Sequence, residues 1–211
     1  MWVFAIGFLA QAFFSARVII QWFMSERAKE IVSPTAYWVF SILGSYLLFI
    51  YGWLREDFAI ILGQTLSYYI YLWNLDVKGH WKGLSNIVKC LLVGIPLAAF
   101  VAILTKADDF LLSFLLNSDV PLGLLIFGSL GQMIFSLRFI YQWICSRRAR
   151  QSLLSVGFWR LSLLGSGMII IYGILRHDPV LILGQSVGFV AYMRNIMIGR
   201  KNLKVNNEEV K

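Results

Sequence analysis

Two arginines inside otherwise apolar segments are the side chains best suited to bind a charged ligand. Arg17 and Arg138 each lie about two turns before the end of a long apolar run. The planar guanidinium of arginine matches phosphate or carboxylate. Gln21 and Gln142 follow four residues later, which places an amide on the same side of each helix. Anion binding is one interpretation; the other is that the arginines extend along their helices to the polar edge of the segment.

Further amide side chains recur in the same apolar surroundings. Amides form hydrogen bonds with sugar hydroxyls, and they also tie neighbouring helices together. Both interpretations apply to the glutamines and asparagines of the other segments. The predicted substrate-binding set comprises Gln11, Arg17, Gln21, Gln132, Arg138, Gln142, Gln64, Gln185, Asn74 and Asn195.

Charged pairs occupy two very short turns. Arg55 with Asp57, and Arg176 with Asp178, are expected to form ion pairs and end helices, although the aspartates could also bind a cation or sugar hydroxyls. No Ser, His and carboxylate set, metal-ligand spacing or phosphate-binding glycine loop occurs in the sequence. We therefore predict no metal, no cofactor and no enzymatic activity.

These residues recur because the chain contains an internal repeat. A shift of 121 residues superposes the two ends of the sequence without a gap. Chance matches between leucines are expected in an apolar chain, but repeated matches of Arg, Gln, Asn, Asp and Trp are not. Matched pairs include Gln21 with Gln142, Trp38 with Trp159, Arg55 with Arg176, and Asn74 with Asn195.

The elements that carry the repeat are predicted to be transmembrane helices. The chain of 211 residues is 59% hydrophobic and 14% charged, which is typical of membrane proteins. Lys and Arg concentrate in alternate loops, so the net charge of +8 reflects membrane orientation and not nucleic-acid binding. The N-terminus is predicted outside and the C-terminus in the cytoplasm. The predicted spans are residues 2–24, 37–54, 58–75, 87–104, 121–145, 158–175 and 179–197.

The repeat predicts an all-α integral membrane protein with a 3+1+3 arrangement. Two three-helix units can be parallel only if one extra span separates them. Parallel repeats in transporters place substrate near the membrane midplane. The predicted domains are a first three-helix repeat at 1–80, a linker helix and loop at 81–120, a second repeat at 121–200, and a disordered tail at 201–211.

The repeated motifs resemble a known family. The pattern is Gln-Trp-x-x-Ser, a Trp that opens the next span, Tyr-Gly-x-Leu-Arg-x-Asp, Gly-Gln, and finally Asn-Leu or Asn-Ile. It resembles the lipid A biosynthesis N-terminal domain family, which is similar to the SWEET, SemiSWEET and PQ-loop membrane proteins. Gln11 and Gln132 lack the preceding proline of those proteins, so a proline-hinged motion is not expected.

The resemblance implies a multi-pass protein of the bacterial inner membrane that acts on cell-envelope glycolipids. The family name is associated with lipid-A-disaccharide synthase, whose soluble glycosyltransferase domain has no room in this chain. We predict a transporter-like protein that binds a membrane lipid, either a polyprenyl-phosphate-linked sugar or a lipid A precursor. A non-catalytic subunit of an envelope glycosyltransferase is the first alternative, and a SWEET-like carrier of free sugar is the second.

Overall fold

The computed structural model of the protein is all-helical over the part of the chain that it describes, residues 2–54, 58–104, 121–177 and 179–209. Each long apolar run forms one helix, since it contains few residues that break helices and helical hydrogen bonds satisfy most of its backbone groups. The helices of these ranges are α1 (Trp2–Ala28), α2 (Thr35–Leu54), α3 (Phe58–Val77), α4 (Asn86–Leu104), α5 (Leu122–Ala149), α6 (Val156–Leu175) and α7 (Pro179–Glu209).

The described helices expose many large apolar side chains and also bury several polar ones. Large apolar side chains lie on the outside of many helices, among them Phe8, Ile87 and Leu175. Buried positions include arginines, amides and serines beside a core of aromatic and aliphatic residues. An extended apolar exterior marks a surface that contacts lipid or another protein. The polar interior is where a binding site is expected.

Two of the described helical segments are long and apolar enough to cross a membrane, Ala5–Ala28 and Val156–Leu175. Several helices also continue beyond the predicted spans. α1 extends to Ala28 and α5 to Ala149, because the basic turn after each apolar run remains helical. α7 continues to Glu209, through residues 201–209 that were predicted to be a disordered tail. No glycine or proline follows Gly199 to end it.

The chain divides into two compact units that do not follow the repeat boundaries. One unit contains residues 1–14 and 38–121, which carry the beginning of α1 together with α2, α3 and α4. The other contains residues 15–37 and 122–211, which carry the rest of α1, the loop after it, and α5, α6 and α7. The second unit therefore includes residues from both sequence repeats.

In the first unit, α4 packs on α3 through two tyrosine hydroxyls. Pro96 lies inside α4, and because proline has no backbone N–H it leaves the carbonyl of Leu92 without its helical donor. The hydroxyl of Tyr68 donates to that carbonyl at 2.9 Å, and the hydroxyl of Tyr69 donates to the carbonyl of Val93 at 2.9 Å. The tyrosines thus compensate for the break in α4 and join it to α3.

In the second unit, α6 lies between α5 and α7 and packs along both. The contact between α5 and α6 depends on small residues. A Cβ added at Gly165 would lie 2.8 Å from the backbone nitrogen of Phe135. Towards α7, Trp159 stacks on Tyr192 with ring centroids 5.6 Å apart. Close approach on one side and aromatic packing on the other hold α6 in place.

Candidate functional site

The Gln-Trp-x-x-Ser motif joins the end of a helix to the loop that follows it. In α1, Gln21 Nε2 lies 2.9 Å from Ser25 Oγ and 3.2 Å from the carbonyl oxygen of Val32. The backbone N–H of Val32 in turn donates to Ser25 Oγ at 3.1 Å. A residue in the final turns of α1 is therefore hydrogen-bonded to the chain eleven residues later.

The second copy has the same arrangement at the matched residues. Gln142 Nε2 lies 2.8 Å from Ser146 Oγ and 3.0 Å from the carbonyl oxygen of Leu153, and the N–H of Leu153 donates to Ser146 Oγ at 2.9 Å. Lys29 and Arg150, also matched, have positive φ values of 58° and 53°, the left-handed conformation that ends helices. We call each set of Gln, Ser and loop backbone a loop clasp.

Gln21 also forms a reciprocal amide pair with Asn195 of α7. Gln21 Nε2 donates to Asn195 Oδ1 at 2.9 Å, and Asn195 Nδ2 donates to Gln21 Oε1 at 3.0 Å. Asn195 Nδ2 additionally donates to the carbonyl of Ala191 at 2.9 Å. Both side chains are fully buried. The pair fixes the end of α1 against α7 and connects the first repeat to the second.

Arg17 and Arg138 are buried against the same aromatic ring. Their side chains are 5% and 3% exposed, so both guanidiniums are inside the protein instead of extended to its edge. The Cζ of Arg17 lies 5.4 Å from the ring centroid of Phe139 and 5.2 Å from that of Tyr37. The Cζ of Arg138 lies 4.5 Å from the centroid of Phe139. Guanidiniums stack well on aromatic rings, so this surface can hold two cations together.

The other predicted residues are distributed as follows. Gln64 accepts a hydrogen bond from Ser45 Oγ at 2.8 Å, which joins α3 to α2. Asn74 is buried and donates to the carbonyl of Ile70 at 2.8 Å. Three more amides are not buried: Gln11 and Gln132 are exposed, and Gln185 is half-buried.

Of the charged pairs in the short turns, Arg176 is exposed and ends α6, its backbone N–H donating to the carbonyl of Tyr172 at 3.0 Å. This contact involves only the backbone of Arg176, so the predicted ion pair of its side chain stays a prediction. Arg55, Asp57 and Asp178 lie outside the described residues.

One ion pair near the loop clasp was not predicted. Arg194 donates to both carboxylate oxygens of Glu26, with Arg194 Nη2 3.1 Å from Glu26 Oε2. Trp22 Nε1 donates to the same carboxylate at 3.0 Å. The repeat contains a signal that could have located it, because Glu26 and Arg194 fall on positions occupied by Arg147 and Trp73 in the other copy. The ion pair thus lies at two positions where the two copies differ in charge.

Comparison with known proteins gives a family match and a set of curated relatives. The family model described as "Lipid A Biosynthesis N-terminal domain" matches twice, over residues 6–76 and 127–197. A lipid-A-disaccharide synthase of Chlamydia abortus is 29% identical over 97% of this chain and 34% of its own length. The synthase of Chlamydia caviae is 30% identical over 93% of this chain and 33% of its own length.

The chain thus spans about a third of the length of the curated relatives it matches. No solved structure matches it. The two matched ranges coincide with the repeat found by sequence alone, and each contains one buried arginine and one complete loop clasp.

Proposed function

This chain belongs to the lipid A biosynthesis N-terminal domain family, and on that premise we propose that it binds and translocates an anionic glycolipid precursor of the lipid A pathway. The ligand is a lipid A precursor or a polyprenyl-phosphate-linked sugar. Arg17 and Arg138 hold its phosphate, and its lipid tails remain in the bilayer. The observation that carries the proposal is the burial of both guanidiniums against the ring of Phe139.

Electrostatics favours an anion at this position. Two unit charges roughly 10 Å apart repel by about 2 kcal/mol at an effective dielectric constant of about 20. Two guanidiniums packed against one aromatic ring repel each other by about this amount. A phosphate bound between them would offset the repulsion.

The amides have a different role in this proposal from the arginines. Gln21 and Gln142 donate to the loop clasps, and Gln21 also pairs with Asn195. Because these hydrogen bonds use the amides' main donors, we assign them the task of holding the arginine-bearing helices in position. A ligand that contacts them directly would have to exchange these hydrogen bonds for its own.

We further propose that the helices form seven membrane spans in a parallel 3+1+3 arrangement in the bacterial inner membrane. The N-terminus would lie outside and the C-terminus in the cytoplasm. The exposed apolar side chains on the described helices support a lipid-facing exterior. The concentration of Lys and Arg in alternate loops supports the orientation. The basic ends of α1 and α5 then lie at the cytoplasmic surface, with the arginine site two turns deeper.

A binding measurement with matched arginine variants tests the proposal. Purified protein is titrated with a polyprenyl-phosphate-linked sugar and with the same lipid lacking the phosphate. We expect Arg17→Gln/Arg138→Gln to lose affinity for the first lipid only. The control is Arg27→Gln/Arg148→Gln, which removes the same charge at exposed, repeat-matched positions ten residues further along each copy. Equal losses in both variants would contradict the proposal.

Translocation is tested separately in vesicles. The protein is reconstituted with a fluorescent lipid of the same kind, and accessibility of the label to an external quencher is followed over time. Wild-type protein should expose the inner-leaflet label, whereas Arg17→Gln/Arg138→Gln should not. If wild-type protein binds the lipid but never moves it, the transport part of the proposal is wrong and the binding part is retained.

One observation favours a second candidate, a non-catalytic subunit that presents lipid substrate to an envelope glycosyltransferase. The region similar to this chain makes up about a third of relatives named lipid-A-disaccharide synthase, so in those proteins it is covalently joined to further sequence. This candidate predicts that the protein purifies together with a glycosyltransferase. It also predicts no translocation by the protein alone.

A further inference from the structure

A groove between α6 and α7 is lined by residues other than those around Arg17 and Arg138. It is open to the surface and has a volume of about 670 Å³. Its walls are apolar and include Leu163, Met168 and Met193. Arg160 and Arg200 are the charged residues among those that line it. We call it the α6–α7 groove.

Both arginines lie at the same end of the α6–α7 groove. Arg160 is one turn from the start of α6, and Arg200 lies in the part of the antiparallel α7 that extends past its apolar run. This is the end that carries the basic residues of the loop before α6. The groove therefore has a cationic end and a long apolar wall, which is the distribution of polarity in an anionic membrane lipid.

The first repeat has different residues at several positions that line the groove in the second. Arg160 and Arg200 are matched there by Val39 and Gly79, so both cations are absent. Gly167, which lines the groove, is matched by Tyr46. The second copy thus has a small residue and two arginines where the first has a large ring and no charge.

In the first repeat, the residue matched to Phe189 of the groove contacts a further helix. There, α4 packs on α3 through the hydroxyls of Tyr68 and Tyr69. The matched residues of α7 are Phe189 and Val190, which have no hydroxyl to donate to a helix carbonyl. The apolar lining of the α6–α7 groove, with no hydroxyl at these two positions, suits an acyl chain.

We infer that the α6–α7 groove binds an anionic phospholipid, with its phosphate on Arg160 and Arg200 and an acyl chain along the methionines and Leu163. The flexible thioethers suit an acyl chain because they adapt to irregular shapes. This lipid is distinct from the ligand proposed for Arg17 and Arg138, so the two sites should respond to different substitutions.

Native mass spectrometry with defined lipids tests the inference. The purified protein is titrated with phosphatidylglycerol and with phosphatidylcholine of the same acyl chains. We expect preferential retention of phosphatidylglycerol, and a loss of roughly 30-fold in its apparent affinity in Arg160→Gln/Arg200→Gln, given the usual attraction of each arginine to an anionic headgroup. The matched control, Arg147→Gln/Arg148→Gln, removes two exposed arginines at the same end of the unit and should retain the preference.

A second variant tests the apolar part of the groove. Gly167→Tyr introduces the residue that the first repeat has at this position. An added Cβ at Gly167 lies 3.5 Å from Phe189, an ordinary contact, so the backbone accommodates the change while the ring fills the groove. We expect it to displace phosphatidylglycerol, whereas Arg17→Gln/Arg138→Gln should leave this binding unchanged.

Three results would overturn the inference. The first is an equal loss of phosphatidylglycerol in the control and in Arg160→Gln/Arg200→Gln, which would mean that only overall charge matters. The second is unchanged retention in both groove variants. The third is a dimer in wild-type protein that Gly167→Tyr separates, which would make a second copy the occupant.

Discussion

Breaking the reciprocal amide pair between Gln21 and Asn195 should destabilise the protein in a non-additive way. Gln21→Leu leaves the Asn195 oxygen without its donor and one Asn195 N–H without its acceptor, in a side chain that is fully buried. A buried group that loses its partner costs about 1–3 kcal/mol. Gln21 also donates to the carbonyl of Val32 in its loop clasp. Gln21→Leu should therefore lower the free energy of unfolding more than Asn195→Leu does.

The double variant Gln21→Leu/Asn195→Leu should cost less than the sum of its parts. In the membrane placement that we propose, hydrogen bonds between helices average about 0.6 kcal/mol each, so the two reciprocal bonds give a coupling of about 1 kcal/mol. The assay is the free energy of unfolding in mixed detergent, measured for wild type, both single variants and the double variant. Both substitutions are close in volume, which limits the contribution of cavities.

Ser186→Ala provides the control for this cycle. Ser186 also lies in α7 and donates only within it, to the carbonyl of Ile182. It is nine residues from Asn195, about 13 Å along a helix. Gln21→Leu and Ser186→Ala should therefore be additive. Additivity of Gln21→Leu with Asn195→Leu as well would refute the assignment of the pair as a structural link.

Three further predictions concern packing and charge. Tyr68→Phe should lower the free energy of unfolding by about 1 kcal/mol. Pro96→Ala should suppress that loss, because it restores the backbone N–H that donates to the carbonyl of Leu92. A loss of the same size with proline and with alanine at position 96 would contradict this. Gly165→Ala should destabilise the protein by about 1–3 kcal/mol, measured by the same unfolding assay, since its Cβ would meet backbone; a neutral effect would refute the close approach. Glu26→Gln should lower the free energy of unfolding only slightly, and less at high salt, because its ion pair with Arg194 is exposed to solvent. A large, salt-independent loss would be inconsistent with that assignment.

Sequence reasoning located the helices and the family because their signals are local. Apolar runs and the matched polar residues can be read directly, and the family match covers the same two ranges. The loop clasps were not predicted, since they depend on how the backbone turns back after Lys29 and Arg150. Gln21 and Gln142 were interpreted from their spacing to the arginines, whereas their main hydrogen bonds are to the loops.

The surroundings of the arginines also required the structure. Tyr37 and Phe139 are ordinary aromatic residues in sequence, and nothing in their spacing indicates that one ring contacts two guanidiniums. Helical periodicity describes one helix at a time, but this contact depends on the packing of α1 against α5. The extension of α7 to Glu209 was not predicted for a simpler reason: a helix can continue after its sequence stops being apolar.

The identity of the molecule bound to protein taken from its own membrane tests the central claim most directly. Wild-type protein, Arg17→Gln/Arg138→Gln and Arg27→Gln/Arg148→Gln are extracted gently, and their bound lipids are identified by native mass spectrometry. The account predicts a phosphoglycolipid on wild type and on the Arg27/Arg148 variant, and its absence from the Arg17/Arg138 variant. The same phosphoglycolipid on all three proteins would contradict it.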